Sequence, residues 1–418
     1  MVTPRRVVVT GMGVVSPIGH TVNDFWQAIQ EGKCGVDTIT AFDASRFKVK
    51  LAAEVKDFDS SPYFAPHDLK RNSKFMMYAR IAAQQAYRDS GLAESAVERD
   101  RMGVYVSSSI GGLDNLEDAT RVLADQGPDR ISPYLIPTTL VNLASGAIAI
   151  DIQAKGSNLA IVTACASGAN SIGEAFHKIR SGTEDVILAG ASDAAITPTA
   201  IAGFAAMRAM HTGSDPQRAS IPFDAERSGM VMGEGAGVLV LEALDLALQR
   251  QAPIYGEVIG YGSNCDAYSI TAPDYEGVTV GRAIAKAMDD AGVNADQIDY
   301  INAHGTATVL NDRNETQAIK QAFGDHANRV PVSSTKSMTG HMLGAGGAVE
   351  AIACIMAMRD GVIPATINYR VPDPACDLCL VTGESRRQDL DIVLSNSFGF
   401  GGHNASLIFK KWSGHAEQ

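Results

Sequence analysis

Ala86-Tyr87-Arg88-Asp89-Ser90-Gly91-Leu92 is echoed 201 residues downstream by Ala287-Met288-Asp289-Asp290-Ala291-Gly292-Val293. Each copy closes a helical pattern and precedes a strand-like run, Gly103 to Ser107 in the first case and Asp299 to Ala303 in the second. A second pair agrees: Asp185-Val186-Ile187-Leu188-Ala189-Gly190 returns as Asp391-Ile392-Val393-Leu394-Ser395-Asn396, at an offset of 206. Two matches at nearly one spacing mark a duplicated unit. The chain therefore reads as an α/β protein of two related halves, residues 1–252 and 253–418, with the seam at Gln251 to Pro253. Each half alternates strands and helices around its own sheet, and ligand sites favour the junction of such units.

A chain of 418 residues, 45% apolar and 6% aromatic, buries a large core, and its many Ala and Gly residues suit close packing of helix on sheet. The formal net charge of -12 argues against general affinity for nucleic acid. An acidic partner would need a local basic patch, for which Lys70, Arg71 and Lys74 are the candidates; a solvated helix face is the plainer alternative. The six cysteines show no disulfide framework. Cys376-Asp377-Leu378-Cys379 lacks the second pair or nearby His of a zinc site and reads as two incidental thiols. Arg5 and Arg6 precede a valine run that Gly11 and Gly13 interrupt, a first strand rather than a signal segment. No run approaches the ~18 apolar residues of a membrane span. A reduced, cytoplasmic protein without a membrane partner is expected.

Chemistry concentrates in three turns. Cys165 stands in Thr163-Ala164-Cys165-Ala166-Ser167-Gly168, between an apolar run Leu159 to Val162 that reads as a strand and a helix from Ser167 to Arg180. A sulfur at a helix N-terminus meets unpaired amides and the positive dipole end, which bring a thiol pKa from ~8.5 towards neutrality. A reactive thiolate is expected, against the plain alternative of a small buried hydrophobe. His304 in Asn302-Ala303-His304-Gly305-Thr306 and His341 in Lys336-Ser337-Met338-Thr339-Gly340-His341 occupy similar turns. Three such ends converge when they share the carboxyl edge of a sheet.

Two glycine-rich segments invite other readings. Val9-Thr10-Gly11-Met12-Gly13-Val14-Val15-Ser16 follows a strand, but the third glycine of a dinucleotide loop is replaced by Ser16, and Pro17 stands where a helix should run. Ser397-Phe398-Gly399-Phe400-Gly401-Gly402-His403 sets a bulky Phe400 between Gly399 and Gly401, a loop able to gate a pocket and to aim amides at an anion. His403 reads as structural.

The three turns, in this order and with these neighbours, resemble the β-ketoacyl-acyl carrier protein synthases, specifically the synthase II branch of the condensing enzymes, from Arg5 to Lys411. The resemblance implies the thiolase-like fold, two duplicated βαβαβαββ halves in a five-layered αβαβα arrangement, and a decarboxylative Claisen condensation. It makes Cys165 the acyl-bearing nucleophile and His304 and His341 hydrogen-bond donors to the malonyl thioester. It assigns support of the histidines to Lys336, Glu350 and Asp312, and the second oxyanion hole and gate to Cys165 and Phe400 with Gly399 and Gly401. It places Ile110 and Phe204 in the acyl pocket, and Lys70, Arg71 and Arg208 on the surface that receives acyl carrier protein. No metal or organic cofactor is required, since acyl and malonyl groups arrive on the carrier's phosphopantetheine.

Local departures bear on the pathway. His304-Gly305-Thr306-Ala307-Thr308-Val309-Leu310-Asn311-Asp312-Arg313-Asn314-Glu315-Thr316 and Ala189-Gly190-Ala191-Ser192-Asp193 look like the ketosynthase-α subunit of type II polyketide synthases. Ile131-Ser132-Pro133-Tyr134-Leu135-Ile136-Pro137 and Phe398-Gly399-Phe400-Gly401-Gly402 look like fatty-acid enzymes. Ser269 replaces a usual His, and Asn72-Ser73 a usual Met-Asp. The local matches lean to a polyketide ketosynthase-α, a heterodimer with a chain-length-factor subunit. The alternative is a housekeeping synthase II, a homodimer. A degradative thiolase, which would carry a second catalytic cysteine, is the remote alternative.

Overall fold

The computed structural model describes residues 4–65, 68–274 and 276–414, the side chain of Lys70 excepted. The strands of the main sheet are β1 (Val7–Val15), β2 (Met102–Ser107), β3 (Asn158–Leu159), β4 (Val186–Asp193), β5 (Gly235–Ala243), β6 (Gly256–Cys265), β7 (Tyr300–Asn302), β8 (Val332–Ser333), β9 (Ile392–Gly399) and β10 (His403–Lys410). The layer-forming helices are α1 (Lys74–Asp89), α2 (Leu143–Ile152), α3 (Ser167–Arg180), α4 (Val278–Ala291), α5 (Val309–Phe323) and α6 (Gly346–Asp360). In chain order these elements spell βαβαβαββ twice. Spatially they run β8-β7-β9-β10-β6-β1-β5-β4-β2-β3, so the second half repeats the first about a central axis. The duplication expected from the repeats is borne out, as is the thiolase-like fold that the resemblance implies. One feature differs from two separate sheets: β1 pairs antiparallel with β6 from Val7↔Val258 to Val9↔Gly256, joining both halves into one ten-stranded sheet.

Composition explains the layering. Every residue of α6 from Gly346 to Met358 is buried, and most of α3 with it. Helices apolar on all sides belong in a core, and these two pack on each other between the halves. Helices α1 and α2 cover the outer face of the first half, and α4 and α5 that of the second.

The repeated segment also has a packing basis. Asp89, closing α1, accepts a 3.0 Å hydrogen bond from the Met12 amide of β1. Asp290, near the end of α4, accepts one of 3.1 Å from the Tyr261 amide of β6. A Cβ on Gly11 or Gly13 would lie 2.2 or 2.0 Å from the carbonyl oxygens of Ala86 and Ala82, and one on Gly260 or Gly262 would lie 2.4 or 2.1 Å from those of Ala287 and Ala283. Gly11-Met12-Gly13 is thus a strand pressed against a helix, matched by Gly260-Tyr261-Gly262, and not a phosphate loop.

Candidate active site

Cys165 lies in a single 3₁₀ turn, Ala164–Ala166, immediately before α3. The expected strand is short, since β3 covers Asn158–Leu159 and no regular structure follows it before the turn. Ala164 holds φ +50, a left-handed conformation costly for an L-residue. Three hydrogen bonds hold it: Ser167 Oγ donates to the Ala164 carbonyl at 2.7 Å and accepts from the Thr163 amide at 2.9 Å, while Asn170 Nδ2 donates to Thr163 Oγ1 at 2.7 Å. The amides of Phe400 and of Cys165 itself face the sulfur. One expectation is corrected: burial pushes the Cys165 thiol up to about 12, a rise that the Lys336 charge and the two amides oppose and do not cancel. The resting site therefore holds a thiol, and ionisation belongs to the reaction with substrate.

His304 follows β7 in a turn fixed from α5. Glu315 accepts from the amides of His304 at 2.8 Å and Gly305 at 2.7 Å, with Asn396 Nδ2 a further donor at 3.2 Å. Burial pushes its carboxyl up to about 7, against the pull of the Gly305 and His304 amides. Gly305 has φ +36, and a Cβ there would sit 2.6 Å from Ser334 Cβ. His341 is pinned on both sides of its peptide: its amide donates to the Val231 carbonyl at 2.7 Å, and its carbonyl accepts from Gly233 at 2.8 Å. The imidazoles meet edge to face, centroids 5.2 Å apart at 87°, and Phe398 packs on His304 at 5.5 Å. Both Nδ1 atoms are buried without a hydrogen-bond partner among the described residues. Burial, and next the Lys336 charge, holds both histidines well below the ordinary imidazole value, so they are neutral at physiological pH. Lys336, itself buried, is paired with Glu350 of α6.

Cys165, His304, His341, Phe400 and Phe204 line one cavity of about 350 Å³, with Arg208 also on its wall. The rings of Phe204 and Phe400 stack at 6.2 Å and 24°. Gly401 (φ +85) and Gly402 (φ +75) form the turn between β9 and β10, tied by Gly401 N donating to Ile270 O at 2.7 Å and Asp266 N to Gly402 O at 2.9 Å. Ile110 packs in the same apolar cluster as Cys165 and Phe204, outside the cavity wall. Asp312 accepts from the Phe223 amide at 2.8 Å, pairs with Arg227 at 3.2 Å and meets the Ala307 amide, three residues past His304. Arg71 is exposed, its guanidinium 5.5 Å from the Tyr134 ring centroid. Lys74 is engaged by the buried Glu234 at 2.7 Å, and the Lys70 side chain lies outside the described residues. Cys376 and Cys379 are free thiols, the first buried near Asp373.

Residues 4–247 match the N-terminal domain of the β-ketoacyl synthase family, and residues 255–370 match its C-terminal domain. The chain belongs to the β-ketoacyl synthase family. It is 50% identical over 98% of its length, and 98% of the relative's, to a 3-oxoacyl-[acyl-carrier-protein] synthase 2 of Synechocystis. Among solved structures it is 37% identical to the ishigamide ketosynthase/chain length factor, with TM-score 0.92 over 98% of this chain and 100% of that one. It is 35% identical, with TM-score 0.91 and the same coverage, to a chain of a type II polyketide synthase acyl-carrier protein in complex with its ketosynthase bound to the hexaketide. This synthase is a carbon-carbon bond-forming acyltransferase, as the sequence reading expects.

The sequence reading missed Glu315 and Asp193, buried carboxylates that hold amides around the synthase site. It also missed Thr306 and Thr308, whose hydroxyls lie 2.9 Å apart on the cavity wall. A polar residue within two to four positions of His304 was the available signal for the threonines.

The neutral histidines carry a pH prediction. A base whose pKa lies well below 6.5 stays neutral until acid well below that value, so malonyl decarboxylation by the synthase should be flat from alkaline pH down through 6.5. Lys336→Met removes a charge that repels the imidazolium, the second cause after burial, so it should raise both pKa values and move the acid limb to higher pH while leaving it below 6.5. Glu350, its carboxyl already pushed up by burial, takes up a proton in that variant. A wild-type rate that fell through pH 6.5 would refute the neutral-donor assignment.

Proposed function

We propose that this synthase elongates acyl chains on acyl carrier protein by condensation with malonyl carrier protein, as a self-sufficient homodimer of the fatty-acid type. The observation that carries the pathway is the 50% identity to a 3-oxoacyl-[acyl-carrier-protein] synthase 2, against 37% for the ishigamide ketosynthase/chain length factor and 35% for the type II polyketide synthase ketosynthase. That difference outweighs the two local matches that lean to ketosynthase-α.

In this reading Cys165 loses its proton as its sulfur attacks the acyl thioester carbon. The resulting oxyanion meets the amides of Cys165 and Phe400, and the carrier thiol leaves with a proton. Malonyl carrier protein then enters, and Nε2–H of His304 and of His341 donate to its thioester oxygen. The bond to the carboxylate breaks, carbon dioxide departs, and its electron pair forms the enolate. The enolate carbon attacks the acyl-sulfur carbon, and Cys165 leaves as thiolate to regain its proton. The carbonyl electrophile and carboxylate electron source are both in the substrates, so the route needs no metal or organic cofactor. Thr306 and Thr308 supply a polar throat for the amide-bearing arm, and Arg208 and Arg71 supply positive charge for an acidic carrier.

Support for a second subunit comes from the sheet edge. Both residues of β3 are exposed, as are Leu140, Ile150 and Val162. An open edge flanked by large apolar side chains suits another chain. Among the described residues no helix is long and apolar enough to cross a membrane, and we place the synthase in the cytoplasm. The Asn311 to Thr316 run favours the second reading, a ketosynthase-α needing a chain-length-factor subunit. The deciding experiment supplies the purified chain with acyl and malonyl carrier proteins and records mass on the same sample. Turnover by a homodimer is expected. A monomer without turnover, restored by a non-catalytic partner, would establish the polyketide reading instead.

A further inference from the structure

Asp193 ends β4 with its side chain fully buried. Its carboxylate collects donors from two separate places. On one side are Ser108 Oγ at 2.6 Å, the Ser109 amide at 3.1 Å, Ser109 Oγ at 2.9 Å and the Ile110 amide at 3.3 Å, all in the turn that leaves β2. On the other is the Gly344 amide at 2.8 Å, just past His341. The second turn is tight: Leu343 holds φ +51, and a Cβ on Gly344 would lie 2.8 Å from Asp193 Oδ2 and 3.3 Å from the Ala164 carbonyl oxygen. Ile110 and Leu343 pack in one apolar cluster with Cys165. One carboxylate therefore ties the turn carrying Ile110 to the turn behind His341, with the nucleophile in the cluster they share.

We propose that Asp193 is a positioning residue that sets the chain-length discrimination of this synthase, by locking the Ile110 turn at a fixed distance from Cys165. The inference rests on the reading above that Cys165 carries the acyl chain, in the apolar cluster that it shares with Ile110 and Phe204. An apolar pocket distinguishes chains one methylene apart by tenfold or more only while its wall holds still. Backbone amides cannot reverse their role and accept. An amide side chain at position 193 therefore satisfies Gly344 or the Ser109 and Ile110 amides, and leaves the other set facing an NH₂ group.

The test measures kcat and KM for acyl transfer onto Cys165 from short-, medium- and long-chain acyl carrier proteins. In Asp193→Asn the ratio of kcat/KM between the best and the worst chain should collapse by about tenfold, carried by KM. Ser108→Ala, which removes the 2.6 Å bond on the pocket side alone, should shift the ratio in the same direction by less. A purely structural role lowers all chains in parallel. Intact ratios in both variants, or an insoluble Asp193→Asn together with a wild-type ratio in Ser108→Ala, would overturn the proposal. A wild-type chain that transferred no acyl group would overturn the functional reading beneath it, and this proposal with it.

Discussion

Cys165→Ala should lose condensation by roughly 10⁵-fold or more, the scale on which deleting a nucleophile acts, while malonyl decarboxylation persists at or above the parent rate. The two halves of the reaction use different groups. Bond formation to the acyl group needs the sulfur, whereas loss of carbon dioxide needs donors to the malonyl thioester oxygen, and His304 and His341 lie on separate turns pinned by Glu315 and by the 231–233 segment. Removing a sulfur from a buried turn leaves those anchors in place. Carbon dioxide release from malonyl carrier protein, measured beside ketoacyl product, separates the outcomes. If both activities vanished from a folded Cys165→Ala protein, the histidines would not be acting independently of the cysteine.

The second large effect belongs to the histidines. His304→Ala should lower decarboxylation by about 10² to 10³, or ~3 to 4 kcal/mol, the usual worth of one preorganised donor to a developing oxyanion. His341→Ala should behave alike, because both rings line the same cavity and both are neutral. Acyl transfer to Cys165 should suffer far less, since its oxyanion meets the amides of Cys165 and Phe400. Single-turnover acylation with a radiolabelled acyl carrier protein, set beside the decarboxylation rate, tests the division. A His304→Ala variant that decarboxylated at the parent rate would show that the assignment of donors is wrong.

Legibility followed the range of the interactions involved. Cys165, His304 and His341 were readable because each sits in a short turn whose glycines and serines are local in sequence, and the cavity brings all three together. The duplicated halves were readable because the ends of α1 and α4 make the same contacts with their strands, through Asp89 and Asp290. Asp312 and Glu315 show the opposite case. Both are buried on α5, three residues apart, and nothing local says which of them reaches the His304 turn. The folded helix gives the His304 and Gly305 amides to Glu315 and leaves Asp312 with Arg227, Phe223 and the later Ala307 amide.

The cysteine pKa marks the same boundary. A thiol at the start of a helix is visible in the residue order, and the favourable amides are where that order places them. The surrounding apolar cluster is assembled from segments as distant as Ile39 and Leu343, and its desolvation outweighs the local amides. Residue pattern alone thus carried the α/β duplication, the Cys-His-His chemistry and the family resemblance, because periodicity and turn composition are properties of short stretches. The charge state of the nucleophile, the carboxylates that hold the catalytic turns and the joining of two sheets into one depended on the folded chain. Burial and hydrogen-bond partnership arise only when residues far apart in sequence share the same few ångströms.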